Sequence, residues 1–173
     1  MIKIHIFTDG SSRGNPGPGG WAAIAMNEEE NTILCIEHDT EEYVTNNQME
    51  LKALLFALQY AEAHPQERIT IYSDSAYVVN AYNDWVHRWA INGWKTSKGQ
   101  PVENLAIMQE LHTYSRRPFF NASVKKCAGH EGEIGNELAD AAATQNWKKY
   151  NELIEYWEIK TPDPAELSWF PND

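Results

Sequence analysis

Four acidic residues stand where nothing in the adjoining sequence would neutralise them. Asp9 follows the run Ile2-Lys3-Ile4-His5-Ile6-Phe7-Thr8, and Asp74 follows Arg68-Ile69-Thr70-Ile71-Tyr72-Ser73. Glu50 sits between Met49 and Leu51, and Asp140 between Leu138-Ala139 and Ala141-Ala142-Ala143. A carboxylate set in apolar sequence is costly to bury unless something cationic meets it. With no matching lysine or arginine beside them, a metal ion is the missing positive charge. All-oxygen ligation favours magnesium or manganese over zinc, which takes His and Cys in tetrahedral number, and Cys127-x-x-His130 is too small a fragment for a zinc site. Taken singly, each acid is better explained as a helix cap, a turn aspartate or an ion-pair partner. Only jointly do they point to a metal.

The elements that must position them are legible from periodicity. Ile2, Ile4 and Ile6 alternate with Lys3, His5 and Phe7, so a first strand is expected to stop at Thr8-Asp9-Gly10. The glycine-rich stretch Gly14-Asn15-Pro16-Gly17-Pro18-Gly19-Gly20 reads as a turn, and residues 21–26 and 32–38 as two further strands around a polar hairpin at 27–31. Thr45-x-x-Gln48 has the spacing of a capping box, and Leu51, Leu54, Leu55, Leu58 and Ala61 follow at helical spacing, predicting a helix over residues 46–63. Arg68 to Ser73 is a fourth strand. Strand, helix, strand implies parallel pairing by a right-handed crossover, and in such sheets sites assemble at the strand ends.

Residues 75–116 read as helical pieces interrupted at Asn92-Gly93 and Lys98-Gly99-Gln100-Pro101. A fifth strand is expected over 119–127, a glycine-bearing loop over 129–135, and one helix over 136–149. The fold class is therefore α/β, with a five-stranded mixed sheet, three antiparallel strands and then parallel ones, flanked by helices. Residues 1–150 form the expected domain, and 151–173 a carboxy-terminal extension, partly helical and then a tail rich in proline and acid. Leu153, Ile154 and Trp157 are placed to extend packing onto the domain.

The net charge of −11 excludes a protein that simply coats nucleic acid with a basic surface. Its distribution matters more. Residues 1–81 hold four Lys/Arg against twelve Asp/Glu, residues 82–130 seven against three, and residues 131–173 three against ten. A basic island in an acidic chain fits localised phosphate contact, or an ordinary solvated helix surface. No stretch approaches the roughly 20 apolar residues of a membrane span, and the amino terminus alternates like a strand instead of forming a secretory core. A cytoplasmic setting follows, with Cys35 and Cys127 reduced and no membrane partner.

Phe7-Thr8-Asp9-Gly10-Ser11, the stretch Gly14 to Gly20, Thr45-Asn46-Asn47-Gln48-Met49-Glu50-Leu51, Ser73-Asp74-Ser75, and Gly129-His130 with Asn136-Glu137-Leu138-Ala139-Asp140 resemble the bacterial ribonuclease H type I family. The resemblance covers about residues 1–147, with all five motifs in order. It implies a ribonuclease H-like fold and an endoribonuclease that cuts the RNA strand of an RNA/DNA hybrid, leaving 5′ phosphate and 3′ hydroxyl ends with little sequence specificity. Asp9, Glu50, Asp74 and Asp140 would bind two magnesium ions, manganese being an alternative, for an in-line displacement. His130 matches a mobile histidine that assists proton transfer or product departure, although alone it would pass for a surface histidine. Glu137 matches an acid linked to metal turnover.

By the same resemblance, Asn15, Asn46 and Gln48 match contacts to the hybrid near the cut, and Thr45 and Asn47 match groups near the phosphates of the DNA strand. Trp85, Trp89, Gly93, Trp94 and Lys95 match a protruding handle, but Ala90-Ile91-Asn92 stands where lysine and arginine are common, so a shallower salt dependence and weaker binding are expected. The tryptophans serve equally as handle core. A monomer is expected. Gly17-Pro18-Gly19-Gly20-Trp21-Ala22 fits a dinucleotide fingerprint, but that needs a strand before it and a helix after it, whereas Pro16 and Pro18 here precede a strand. A non-catalytic hybrid-binding module would lose one or more of the acids, and an integrase or resolvase cousin would lack the handle and the Asn-Asn-Gln-Met-Glu segment.

Overall fold

The computed structural model describes residues 3–127, 133–155 and 157–159. Strands β1 (Lys3–Ser12), β2 (Gly17–Asn27) and β3 (Thr32–Val44) form an antiparallel meander. Helix α1 (Asn46–Ala63) then crosses over to β4 (Arg68–Ser73), which pairs parallel with β1, and β5 (Ala122–Lys126) pairs parallel with β4. The five strands expected from the sequence are present. A two-residue strand, β6 (Glu158–Ile159), joins parallel to the start of β3 and gives the order β5-β4-β1-β2-β3-β6.

Helix α1 begins and ends where its periodicity places it. Its capping box is complete: the Gln48 amide donates to the Thr45 hydroxyl oxygen at 3.1 Å, and the Thr45 amide donates to Gln48 Oε1 at 2.9 Å. Met49, Leu51, Ala53, Leu54, Phe56, Ala57, Leu58, Tyr60 and Ala61 are all buried, so α1 is enclosed on more than one face. It shares a core with Ile4 and Ile6 of β1, Ile69 and Ile71 of β4, and Met108 and Leu111 of α4 (Leu105–Ser115). The opposite side of the sheet carries Phe7, Ile24, Met26 and Ile33, covered by α5 (Ile134–Ala143) and α6 (Trp147–Leu153). Ile154 is buried there, with Leu153 and Trp157 packed against it.

Several details depart from expectation: β2 already begins at Gly17, inside the stretch read as a turn, and β3 runs on past residue 38 to Val44. Strand β1 does not stop at Asp9: it runs on to Ser12 because β2 continues to pair with it, Asp9 opposite Ala22 and Ser12 opposite Gly19. What stops is the parallel pairing, at Thr8 opposite Ser73. The single helix expected over 136–149 is two, broken where Gln145 adopts a left-handed φ of 56° and Asn146 caps α6 through Lys149 N–H. Between Asp74 and the handle, α2 (Ala76–Asn80) passes through one π-helical stretch, Ala81–Trp85, into α3 (Val86–Ile91). Helix α5 lies close against the sheet because Gly135 has no side chain: a Cβ there would enter the ring of Phe7. Gly135→Ala is therefore expected to cost about 1 to 3 kcal/mol by overpacking, read from urea unfolding; an unchanged midpoint would show that α5 can shift without cost.

Candidate active site

The register of the central parallel pair builds the first half of the site. Thr8 lies opposite Ser73, so the next residues, Asp9 and Asp74, leave that pairing side by side. The Thr8 hydroxyl donates to the Tyr72 carbonyl at 3.0 Å, and Cys127 N–H donates to the Ser73 carbonyl at 2.7 Å, which fixes both strand ends. Ser75 caps α2 directly after Asp74, accepting from Val78 N–H.

Gly10 builds the second half. A Cβ at Gly10 would overlap the backbone of Met49 and Glu50. Only glycine lets the first turns of α1 sit against β1 there, and that contact brings the Glu50 carboxyl to Asp9. Both are buried, Asp9 6% and Glu50 8% exposed, whereas Asp74 is exposed. Carboxylate oxygens of Asp9, Glu50 and Asp74 all lie within 4.8 Å of one another. Glu50 Oε2 is buried with no hydrogen-bond partner.

Such crowding moves protons. Burial, then the neighbouring charges of Glu50 and Asp74, push the Asp9 carboxyl up to about 10. Burial also raises Glu50, to about 7, although hydrogen bonds from Asp9, from Gly10 N–H and from Ser73 partly oppose this. The cation-free pair thus keeps a proton, donated by Asp9 to Glu50. Asp74 is raised by partial burial and then by the charge of Asp140. A buried carboxylate oxygen without a donor, inside a group of acids that cannot all ionise, is a site whose donors fit a hard divalent cation.

Asp140 is not enclosed as its apolar neighbours suggested. It lies on the solvent-facing side of α5, exposed, outside the 4.8 Å group, while its charge still acts on Asp9 and Asp74. Apolar neighbours on both sides did not signal burial, because α5 turns Leu138, Ala139, Ala141 and Ala142 onto the sheet and Asp140 away from it. His130 lies outside the described residues. Glu137 is half-buried in the first turn of α5.

The expected hybrid-contacting groups form two places. Asn46 Oδ1 accepts from Ser12 N–H at 2.6 Å and from the Ser12 hydroxyl at 3.1 Å, while Asn46 N–H donates to Asn15 Oδ1 at 3.0 Å. These bonds tie the β1–β2 turn to the start of α1, beside Thr45, Asn47 and Gln48. Trp85 and Trp89 line a groove of about 540 Å³ with Arg88, Asn92 and Lys95. Trp94 packs edge-on against His112 with centroids 5.8 Å apart. Arg88 is held by Asp84 at 2.9 Å, which leaves Lys95 as the lysine of this groove, in keeping with a weakly basic handle. Gly10 is no strand terminator but the seat of the α1 contact, and Ser73 bonds to Glu50; the sequence signal for both is a small residue beside each aspartate.

Fold and site define an α/β protein with a cluster of carboxylates, fit for a hard cation, where a parallel strand pair parts. A sequence model of the RNase H family matches residues 2–148. The ribonuclease H of Herminiimonas arsenicoxydans is 41% identical over 152 residues, covering 87% of this chain and 99% of that one. Among solved structures, LC9-RNase H1, described as a type 1 RNase H with the type 2 active-site motif, is 25% identical with a TM-score of 0.68, covering 96% and 90%. The foamy viral protease-reverse transcriptase in complex with RNA/DNA hybrid is 22% identical with a TM-score of 0.70, over 86% of this chain and 20% of that one, a likeness of fold alone. The chain belongs to the ribonuclease H family, and is a hydrolase of the ribonuclease kind.

Without a cation, stability should depend on pH in a defined direction. The folded-state values of Asp9 and Glu50 lie above their unfolded ones, so their contribution is complete below about pH 4 and is lost as pH rises through about 7 for Glu50 and higher for Asp9. Chelator-treated protein is expected to be less stable at pH 8 than at pH 5 by on the order of 2 kcal/mol. Asp9→Asn should abolish most of that loss, and millimolar magnesium should reverse it in the parent protein. Thermal unfolding across this range checks all three; a flat profile would show that the acids are not forced together.

Proposed function

We propose that this chain is an endoribonuclease that hydrolyses the RNA strand of RNA/DNA hybrids by two-metal-ion catalysis, leaving 5′ phosphate and 3′ hydroxyl ends with little sequence preference. The observation that carries this reading is the enclosed Asp9–Glu50 pair, with its donorless oxygen, beside Asp74 in a member of the ribonuclease H family. Asp9, Glu50, Asp74 and Asp140 would hold magnesium, or manganese in its place. Bound there, the cations would supply the charge that activates water and stabilises the leaving 3′ oxygen.

The protein's own part is positional. Gly10 N–H and Ser73 orient Glu50, and the fixed ends of β1 and β4 orient Asp9 and Asp74. His130, matched to the family's mobile histidine, moves a proton or helps product leave. Asn15, Thr45, Asn46, Asn47 and Gln48 present amide and hydroxyl groups to the minor groove and the adjoining phosphates, and Trp85, Trp89, Trp94 and Lys95 receive the other strand along the handle. Several already serve the fold, Thr45 and Gln48 as a capping box and Asn15 and Asn46 as a turn tie. Those bonds hold rigidly the groups that substrate would meet. The reading includes a catalytic domain over 1–150 with an extension over 151–173, acting as a cytoplasmic monomer. Cys35 and Cys127 are not joined in a disulfide, and no described helix is long and apolar enough to cross a membrane.

End-labelled hybrid, RNA duplex and DNA duplex, each offered with magnesium, manganese or chelator, test the proposal. Hybrid alone should be cut, only with metal, and on the RNA strand. Cutting of DNA duplex, or of hybrid in chelator, would refute it. Asp9→Asn and Glu50→Gln should each lower cleavage at least about 1000-fold, the scale on which removing transition-state charge stabilisation acts, while hybrid affinity stays within a few-fold.

A further inference from the structure

A second groove, of about 550 Å³, opens between the far ends of β1 and β2, the middle of β3 and the end of α5, with no handle residue in its lining. Ser11, Ser12 and Arg13 form one wall, Gly19 and Gly20 of β2 adjoin them, Thr40 and Glu42 of β3 lie beyond, and Thr144 and Gln145 close the end of α5. Its lining starts two residues after Asp9 on β1 and three residues after Asp140 on α5, at Ala143, so both acids lead into it. Arg13 is the one lysine or arginine in its lining.

Arg13 is built into place and not otherwise used. Its N–H donates to the Pro18 carbonyl at 2.6 Å, and its own carbonyl lies where any side chain on Gly17 would collide. The neighbouring Ser12 is bonded through its amide and hydroxyl to Asn46 at the head of α1. The backbone is thus held on both sides while the side chain is exposed, and Arg13 makes no ion pair among the described residues. Of the two acids in the lining, Glu41 is neutralised by Lys52, which leaves Glu42 at the rim.

We infer that this groove receives the cut strand beyond the scissile phosphate and that Arg13 binds one of its backbone phosphates. The inference rests on the hybrid-nuclease reading and adds a subsite to it. At about 3.3 Å per strand residue, Arg13 lies roughly 13 Å from Asp9 along β1, a reach of a few nucleotides. Guanidinium gives the bidentate fit to phosphate, and the hydroxyls of Ser11 and Thr40 match a sugar edge bearing 2′ hydroxyls, with the Thr144 hydroxyl oxygen and Gln145 Oε1 as acceptors while their donors serve the Asp140 and Ala143 carbonyls. In a chain of net charge −11, one fixed cation beside a cluster of acids sets on which side of the cut a phosphate backbone is tolerated.

The test compares Arg13→Ala with the parent protein and with Arg116→Ala, which removes the same charge from the exposed end of α4. Hybrid binding is measured in the Asp9→Asn background against salt, and cleavage in the active enzyme with magnesium. Arg13→Ala should weaken binding about 3- to 10-fold at low salt and reduce the salt slope by about one. It should raise KM with kcat unchanged, and its penalty should vanish on hybrids shortened on one side of the cut only. Arg116→Ala should change none of these. Equal effects from both variants, or a penalty that persists on hybrids shortened on either side, would overturn the subsite and leave the nuclease reading intact. If the parent enzyme does not cut hybrid at all, the underlying reading fails first.

Discussion

The contact between the first turns of α1 and the end of β1 is the constraint on which the rest depends. Gly10 has no Cβ, so the backbone of Met49 and Glu50 lies directly on the strand. A crossover helix placed one side chain further out would leave Glu50 in solvent and the acids apart. The capping box at Thr45 fixes where α1 starts, and the apolar residues that enclose it fix its depth. Between them they convert a strand–helix–strand unit into a device that presses two carboxyl groups together.

That compression is unfavourable by itself, and the fold sustains it from elsewhere. Two cores, one on each face of the sheet, clamp the strands whose ends carry Asp9 and Asp74. Isoleucines of β1 and β4 interlock with α1 on one side, while Phe7 stacks on Tyr72 with ring centroids 5.1 Å apart on the other. The strand ends therefore cannot splay to relieve the repulsion between the acids. Relief comes instead from a proton held between Asp9 and Glu50, whose place a divalent cation bound by these acids would take.

Much of this frame was legible in the sequence, and the misreadings have physical causes. Helix α1 and strand β4 stand where periodicity and capping place them, because each is specified by its own residues. The end of β1 was misjudged because Asp-Gly is ordinarily a turn signal, whereas here β2 supplies the pairing that carries the strand on to Ser12. The break in the helix of 136–149 has no proline or glycine to announce it; it rests on Gln145 accepting a left-handed backbone and Asn146 capping the next helix. Strand β6 is too short to carry a periodic signal. The sequence points to the candidate acids but not to their environments, since burial belongs to the tertiary face a residue is turned to. Glu50 and Asp140 have equally apolar neighbours, yet one is enclosed and the other exposed.

That difference in burial orders the four acids into two kinds. Asp9 and Glu50 are held by the cores, with little freedom to reorient, and Glu50 is further fixed by Gly10 and Ser73. Asp74 and Asp140 stand at the solvent edge, at a strand end and on the outer face of a helix. Magnesium demands near-ideal octahedral geometry and gives up its water reluctantly, so a fully enclosed cage of four carboxylates would be a poor host and a slow one. Two fixed inner acids with two outer acids open to water would supply charge to such an ion and would leave room for water and for a phosphate oxygen. In the proposed reaction the substrate itself completes the site, which ties tight assembly of the cations to the arrival of the strand that is to be cut.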